Sequence, residues 1–194
     1  MRFNLQSLKR QAVAAGVFAT VMTTGLSAQA AEQWNVVADE SSVEFTGTQL
    51  GAEFTGAFEA FTANITFSPD DLAGSSVEVL IDIASANTQS ADRDSQIVAP
   101  DWFDAAQWPT AKFVTKSFTE ISEGKYEAVA ELTIRDVTRE VVLPFDLVIA
   151  DNAADAVGVV TIKRTDFGVG QGQWTDTSQV GDDVTIKVTI NATK

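Results

Sequence analysis

Any catalysis or metal binding by this chain would depend on carboxylates, because its 194 residues include no histidine and no cysteine. The thiol and imidazole groups that act as nucleophiles, bases and metal ligands in many enzymes are therefore missing. The 27 acidic residues could supply two carboxylates for acid–base hydrolysis, but no spacing singles out a pair. No calcium loop of the Asp-x-Asp-x-Asp-Gly type occurs. We therefore expect no enzyme, no metal site and no cofactor.

Two arginines, Arg93 and Arg164, are the remaining candidates for chemistry, because basic residues are scarce. A guanidinium can bind the pyrophosphate or carbonyl group of a ligand at the mouth of an apolar site. The alternative is that Arg93 pairs with Asp94, and Arg164 with Asp166, so that each arginine only fixes a loop. The glycines of residues 168–172 resemble a phosphate loop superficially, but no helical pattern and no Lys-Ser/Thr follows them. We interpret that segment as a rim of the fold.

The first 30 residues predict a secretory signal peptide. They combine a basic start, an apolar run over residues 12–26 and a small-x-small cleavage signal, Ala28-Gln29-Ala30. The apolar run is too short for a confident membrane span, although an uncleaved anchor is the alternative. We expect export to the periplasm and one mature domain, residues 31–194.

Removal of the leader sharpens the negative charge of the chain. Three of the 13 Lys and Arg residues and none of the 27 Asp and Glu residues precede residue 31, which leaves a mature net charge of −17. Nucleic acid and anionic lipid surfaces repel such a chain, and no local basic patch offsets the repulsion. We expect no nucleic-acid partner. With no disulfides, the core must supply the stability.

Most of the mature chain alternates apolar and polar residues with the period of two that is typical of β-strands. Clear examples are residues 76–84, 125–134 and 183–190. Residues 53–68 predict one long strand in which Phe54 and Phe58 share one parity and Phe61 and Phe67 share the other. A single bulge between Phe58 and Phe61 would place all four on one face. The pattern predicts about eight or nine strands and an all-β fold.

One apolar face per strand favours a sheet closed on itself, a single extended antiparallel barrel of about eight strands. Small residues at inner positions, Ala60, Ala111, Ala128 and Ala130, either taper a filled barrel or leave an apolar channel. The inner positions of the central strands carry no charge in this interpretation, so a guest would have to be apolar. Burial of a tail of ~400 Å² could contribute on the order of 10 kcal/mol before ordering costs.

Residues 85–113, which we call the lid segment, leave the alternating pattern. Residues 89–98 predict a surface helix, and Asp101 is a plausible N-cap for a second turn. Three aromatic residues follow, Trp102, Phe103 and Trp108. An exposed cluster of that size would be a liability in a soluble protein, so we expect it to cover the barrel mouth. It could act as a lid that opens or as a fixed stopper.

Short motifs along the whole mature chain resemble the YceI-like family. They are Phe54-x-Gly-x-Phe58 with Phe61, Phe67-Ser-Pro-Asp-Asp-Leu72, Val77-x-Val-x-Ile-Asp82, Asn87-Thr88 with Arg93-Asp94, Asp101-x-Phe-Asp104 with Pro109-x-Ala-x-Phe113, Leu132-Thr-Ile-Arg-Asp-Val-Thr138 with Leu143-Pro144, and Arg164-Thr-Asp-Phe-Gly168. One departure is Asp136, where the family usually has glycine. Because Asp tolerates turn conformations, we expect this hairpin to survive.

The resemblance implies a lipocalin-like barrel that binds an isoprenoid lipid of polyprenyl or quinone type and carries it in the periplasm. Transfer of the lipid would involve transient membrane contact, and the oligomeric state, monomer or dimer, stays open. The alternatives are a structural or stress-related barrel with a solid core and a hydrolase with paired carboxylates. The candidate ligand-binding residues combine inner apolar positions, lid aromatics and the two arginines: Phe58, Phe61, Val79, Ile81, Arg93, Trp102, Phe103, Trp108, Phe113, Tyr126, Ala128, Ala130, Leu132, Phe145, Arg164 and Phe167.

Overall fold

Eleven β-strands join in one antiparallel sheet in the computed structural model, which describes residues 30–194. The predicted signal peptide lies outside the described residues, except for Ala30. The strands, in chain order, are β1 (Glu32–Val36), β2 (Ser42–Gln49), β3 (Ala52–Phe58), β4 (Phe61–Phe67), β5 (Ser76–Asp82), β6 (Ala86–Asn87), β7 (Thr110–Ser122), β8 (Lys125–Ile134), β9 (Val137–Ala150), β10 (Ala153–Lys163) and β11 (Asp183–Thr193). The all-β prediction is confirmed.

The sheet closes into a barrel because β1 pairs with both β4 and β11. Three long strands are each interrupted once, so that β1 continues into β2, β3 into β4 and β5 into β6. On one side of the interrupted strand β3–β4, β1 pairs with β4 and its continuation β2 pairs with β3. On the other side, β5 pairs with β4 and its continuation β6 pairs with β3. Counted in this way the barrel has eight strands, as the sequence predicts.

The prediction of one bulged strand over residues 53–68 is wrong, because Glu59 and Ala60 interrupt it. The Glu59 amide donates to the Ser85 carbonyl at 3.2 Å, and the Ala60 amide donates to Ser85 Oγ at 3.0 Å. Ser85 thus takes the hydrogen bonds that a continuous ladder would use. Ala60 is exposed and does not lie in the interior as expected.

The predicted orientation of the two halves of this strand is nevertheless confirmed. Phe58 lies opposite Val43, and Phe61 lies opposite Ile81. Both partners line the barrel interior, and directly paired residues point to the same face of a sheet. The interruption therefore shifts the alternation of inward and outward residues by one position, as a bulge would.

The lid segment contains one helix, α1 (Ala91–Ile97), in agreement with the predicted surface helix. Asp101 does not cap a helix, because residues 100–107 form turns instead. The amides of Trp102 and Asp104 both donate to the Ala99 carbonyl at 2.9 Å, and Asp104 has a φ of +50°. This left-handed residue reverses the chain before a second helix can start.

The hairpin between β8 and β9 survives the replacement of the family glycine, with Ile134 opposite Val137. The left-handed residue of its turn is Arg135, with a φ of +56°, and not Asp136. The strained position thus carries a side chain that can reach away from the turn.

Candidate ligand cavity

The middle of the barrel contains a cavity of about 180 Å³. Inner-parity residues of most strands form its wall, and almost all of them are aliphatic or aromatic. The lining residues are Trp34, Val43, Ile65, Phe67, Val77, Val79, Ile81, Phe113, Thr115, Phe118, Ala128, Leu132, Val141, Leu143, Phe145, Leu147, Ile149, Ala154, Ala156, Gly158, Val160, Ile186, Val188, Ile190 and Ala192.

The few polar side-chain atoms in this wall are already bonded within the protein. Trp34 Nε1 donates to the Phe67 carbonyl at 3.0 Å. Thr115 Oγ1 accepts from the Val77 amide at 2.8 Å and donates to the Val77 carbonyl at 3.3 Å. The cavity wall therefore recognises its contents by apolar contact, and any polar part of a guest must lie outside the cavity.

The cavity wall brings together six of the sixteen residues predicted from the sequence: Val79, Ile81, Phe113, Ala128, Leu132 and Phe145. Ala130 and Tyr126 are buried in the same strand as Ala128 but do not line the open space. Phe58 and Phe61 share the inner face and lie outside the lining. The structure thus places Ala128 against the open space, whereas Ala130 is enclosed by neighbouring side chains.

Aromatic rings close the barrel at the end that carries the turn between β7 and β8. The Phe67 ring meets Phe118 edge to face at 5.2 Å and Tyr126 edge to face at 5.6 Å between ring centres. Tyr126 stacks on Phe145 at 5.5 Å. Burial raises the pKa of the Tyr126 phenol, as expected for a group that loses hydration.

The lid segment closes the opposite end of the barrel. Trp102 and Phe103 pack against a buried cluster that contains Ile83 and Phe167. Phe103 also meets Phe58 edge to face, with 6.2 Å between ring centres. Four of the predicted residues, Phe58, Trp102, Phe103 and Phe167, therefore meet above the cavity, and Trp108 lies outside this cluster.

Arg164 fixes the rim beside this lid and does not face the cavity. It is 4% exposed, and its guanidinium donates to the backbone carbonyls of Gly181, Val169, Gly170, Trp174 and Val180. Burial lowers the pKa of this guanidinium. The considered pairing with Asp166 is not formed, because backbone oxygens occupy the donors.

Arg135 holds the lid segment, a role that sequence reasoning missed. Its guanidinium donates to the carbonyl of Pro100 at 2.8 Å and to that of Trp102. The guanidinium carbon lies 4.6 Å from the ring centre of Trp108. The only sequence signal was its position in a hairpin turn, which does not reveal a contact with residues more than 25 positions away.

Arg93 lines a second cavity of about 140 Å³, which lies between β3 and the lid segment with its helix α1. Its guanidinium donates to Thr88 Oγ1 and the Thr88 carbonyl, both at 3.2 Å, and lies 4.8 Å from the ring centre of Phe54. The considered ion pair with Asp94 is not formed. Asp94 instead accepts from Thr88 Oγ1 at 2.6 Å, so Thr88 joins both residues.

The barrel wall has a gap between β9 and β10. The two strands pair from Ala150 opposite Ala153 to Phe145 opposite Gly158, and the ladder ends there. The ladder does not pair residues 137–144 of β9 with residues 159–163 of β10. The short turn Arg164–Phe167 contacts both strands. The other interruption of the wall, beside β3, is covered by α1 and the lid segment.

Exposed apolar residues lie on the outside of β9 and β10, with Val142 and Val159 at the gap and Val148 and Val157 in the paired part beside it. Of the seven large apolar residues exposed in the described part of the chain, four lie on these two strands: Val142, Val148, Val157 and Val159. Cavity-lining Leu143 and Val160 lie directly beneath. The apolar interior and an apolar outer surface are therefore adjacent here.

Residues 30–194 contain no group of three or more acidic side chains placed to hold a metal ion. No helix within this range is long and apolar enough to cross a membrane.

These features define a closed, eight-stranded antiparallel barrel with an apolar interior. Residues 34–192 match the model of the YceI-like domain, and the chain belongs to that family. It is 28% identical to a UPF0312 protein of Vibrio parahaemolyticus over 170 residues, which cover 84% of this chain and 89% of the relative.

Solved structures with the same fold agree with this assignment. Burkholderia cenocepacia BcnA is 34% identical, with 82% of this chain and 100% of that chain covered and a TM-score of 0.79. A Campylobacter jejuni YceI protein is 26% identical over 72% of this chain and 84% of its own, with a TM-score of 0.63. A polyisoprenoid-binding domain of Saccharophagus degradans, 14% identical over 85% of this chain and 99% of its own, has a TM-score of 0.64 and shares the fold.

Proposed function

We propose that this protein binds the tail of an isoprenoid lipid, of polyprenyl or quinone type, in the barrel cavity and carries it. The cavity is the observation that supports this most directly. Its wall is apolar, and its few polar atoms are bonded internally. An apolar chain can use such a site, whereas a polar guest would lose its hydration without compensation.

Membership of the YceI-like family supports the same function. The neighbour described as polyisoprenoid-binding has only 14% identity, so it supports the fold, and the class of ligand rests on the cavity. A structural barrel with a solid core is the second candidate. The open volume of about 180 Å³ argues against it. A hydrolase would need a distinguished carboxylate pair, and none emerges from the described residues.

The location of the carrier is part of the proposal. A leader of residues 1–30 would deliver the mature protein to the periplasm, and transfer of the lipid would involve transient contact with a membrane. Intact-mass measurement of protein recovered from the periplasm tests this. We expect a chain that begins at Ala31. A species that retains the leader would contradict the cleavage, and recovery from the cytoplasm alone would contradict the location.

Organic extraction of the purified protein, followed by mass spectrometry, tests the ligand. We expect a co-purifying isoprenoid in stoichiometric amount. Empty protein should take up a polyprenol added in detergent, and a quinone with the same type of tail should quench the fluorescence of Trp34 in the cavity wall. A protein that neither contains nor binds an isoprenoid would favour the structural candidate.

A further inference from the structure

The polar head of a guest whose tail fills the cavity has to lie at an opening of the barrel. Aromatic residues close one end, and the lid segment closes the other. Arg135 and Arg164 fix the lid end through carbonyls of the surrounding loops. The gap between β9 and β10 is the remaining opening in the wall, and the turn Arg164–Phe167 contacts both of its strands. Side chains at this gap are therefore the candidates for binding a head group.

Arg139 is the charged residue on the inner face of the unpaired parts of β9 and β10. It lies opposite Leu132 in the ladder between β8 and β9. Leu132 lines the cavity, and paired residues point to the same face, so Arg139 starts on the cavity side of β9. The next inward-facing residue along β9 is Val141, which lines the cavity and lies about 6.6 Å from Arg139 along the strand. An arginine side chain spans that distance.

Arg139 also differs from every other basic residue in the described part of the chain. All six lysines there pair with carboxylates: Lys112, Lys116, Lys125, Lys163, Lys187 and Lys194. The other three arginines donate to backbone or side-chain oxygens and lie against aromatic rings. Arg139 is exposed and has no such partner among the described residues. Its full set of guanidinium donors is available.

We propose that the gap between β9 and β10 receives the head group of the bound lipid and that Arg139 binds an anionic, phosphate-type head there. This inference rests on the proposed function. A guanidinium binds a phosphate through two parallel hydrogen bonds, which an alcohol or a quinone carbonyl cannot match. The strongly acidic surface repels phosphates elsewhere, so Arg139, the one unpaired basic residue in the described part of the chain, gives the gap its selectivity. Val142 and Val159 at the gap keep the adjoining part of the tail in apolar contact.

The experiment compares two lipids with the same isoprenoid tail, a polyprenol and its monophosphate. Their dissociation constants are measured for the mature protein with wild-type sequence and for R139Q, R139K and K187Q. Lys187 pairs with Glu44 and lies opposite Val159 in the β10–β11 ladder. K187Q therefore removes the same charge from the exposed outer face beside the gap and leaves the inner face unchanged. Folding of R139Q should be normal because Arg139 makes no hydrogen bond or ion pair that the change would remove, and thermal melting checks this.

We expect the wild type and K187Q to bind the monophosphate about tenfold more tightly than the alcohol, the size of one charge-assisted contact. R139Q should lose this preference and bind the polyprenol as before, and R139K should keep part of it. An equal preference in R139Q and wild type would overturn the inference. So would equal affinity of the wild type for both lipids.

Two further outcomes distinguish a failed head-group site from a failed carrier and from a site for free phosphate. If neither lipid binds to the wild type, the proposed function itself fails. Inorganic phosphate is added as a competitor in a separate arm. Displacement of the lipid phosphate by millimolar inorganic phosphate would show a site for free phosphate and overturn the assignment to a lipid head. No displacement is expected, because the tail supplies most of the affinity.

Discussion

The guanidinium of Arg135 lies over the ring of Trp108, 4.6 Å from the ring centre, and binds two carbonyls of the lid segment. A two-residue hairpin turn thereby fixes a segment that the chain reaches by a different route. The arrangement is that of a stopper held from outside. A lid that opens with each exchange of ligand would have to break these contacts first.

Replacement of Arg135 by glycine should loosen the lid segment without strain in the hairpin. Glycine adopts the φ of +56° more readily than arginine, so the loss comes from the side chain. Loss of the cation–π contact and the charge-assisted hydrogen bonds should favour local opening by about 2 kcal/mol, roughly thirtyfold. Hydrogen exchange at the amides of Trp102 and Asp104 measures this. Amides of β8 serve as the control and should not change.

Truncation of both Trp102 and Phe103 to alanine distinguishes a stopper from a gate. Because both residues pack against the buried cluster around Phe167, we expect the barrel to lose about 3 kcal/mol or more of unfolding free energy. Denaturant unfolding gives this value, and stopped-flow measurement gives the rate of lipid release. Faster release from a barrel of unchanged stability would show instead that the lid segment is a gate.

The sequence predicted those parts of the fold that depend on neighbouring residues. Alternation and the turn at Gly124 gave β2 and β8 with the bounds that the structure shows. The gap in the wall was not predictable, because it depends on where β9 stops pairing with a separate strand. Pro144 was the one local sign, and it lies just beyond the last pair of that ladder.

Of the candidate site, apolar parity identified six residues of the cavity wall, but it could not separate Ala128 from Ala130. Both lie on the inner face of β8, and only neighbouring strands decide which one borders open space. The partners of the arginines were also hidden. A guanidinium bonded to backbone carbonyls leaves no pattern in the sequence, because every residue type has a carbonyl.

Ala128 and Ala130 provide a matched pair of substitutions by phenylalanine. Ala128 borders the cavity, so its larger side chain should enter open space and weaken tail binding by at least about tenfold at little cost in stability. Ala130 is 0% exposed and borders no open space, so the same change should overpack the wall and cost about 1–3 kcal/mol. Binding of a polyprenol and thermal melting of both variants give the comparison. Equal behaviour of the two variants would contradict the position of the cavity.

Substitutions at Gly170 and at Arg164 should destabilise the protein through the loss of the same contacts. A side chain at Gly170, whose φ is +84°, would start 2.1 Å from the Arg164 guanidinium. Gly170→Ala must therefore displace the arginine from its carbonyls, as Arg164→Met removes it outright. We expect each variant to lose about 3 kcal/mol of unfolding free energy, because several buried carbonyls lose their donor.

The double variant tests whether the two changes act through the same contacts. If Gly170→Ala acts by displacing the guanidinium, adding it to Arg164→Met should cost clearly less than the sum of the two single effects. Lys163→Met is the control, because Lys163 is exposed and pairs with Asp182 and Asp183 in solvent-screened ion pairs, so its loss should leave the free energy of unfolding nearly unchanged. Chemical denaturation of all four variants measures these values. Fully additive losses would show that Gly170 supports the rim independently of Arg164.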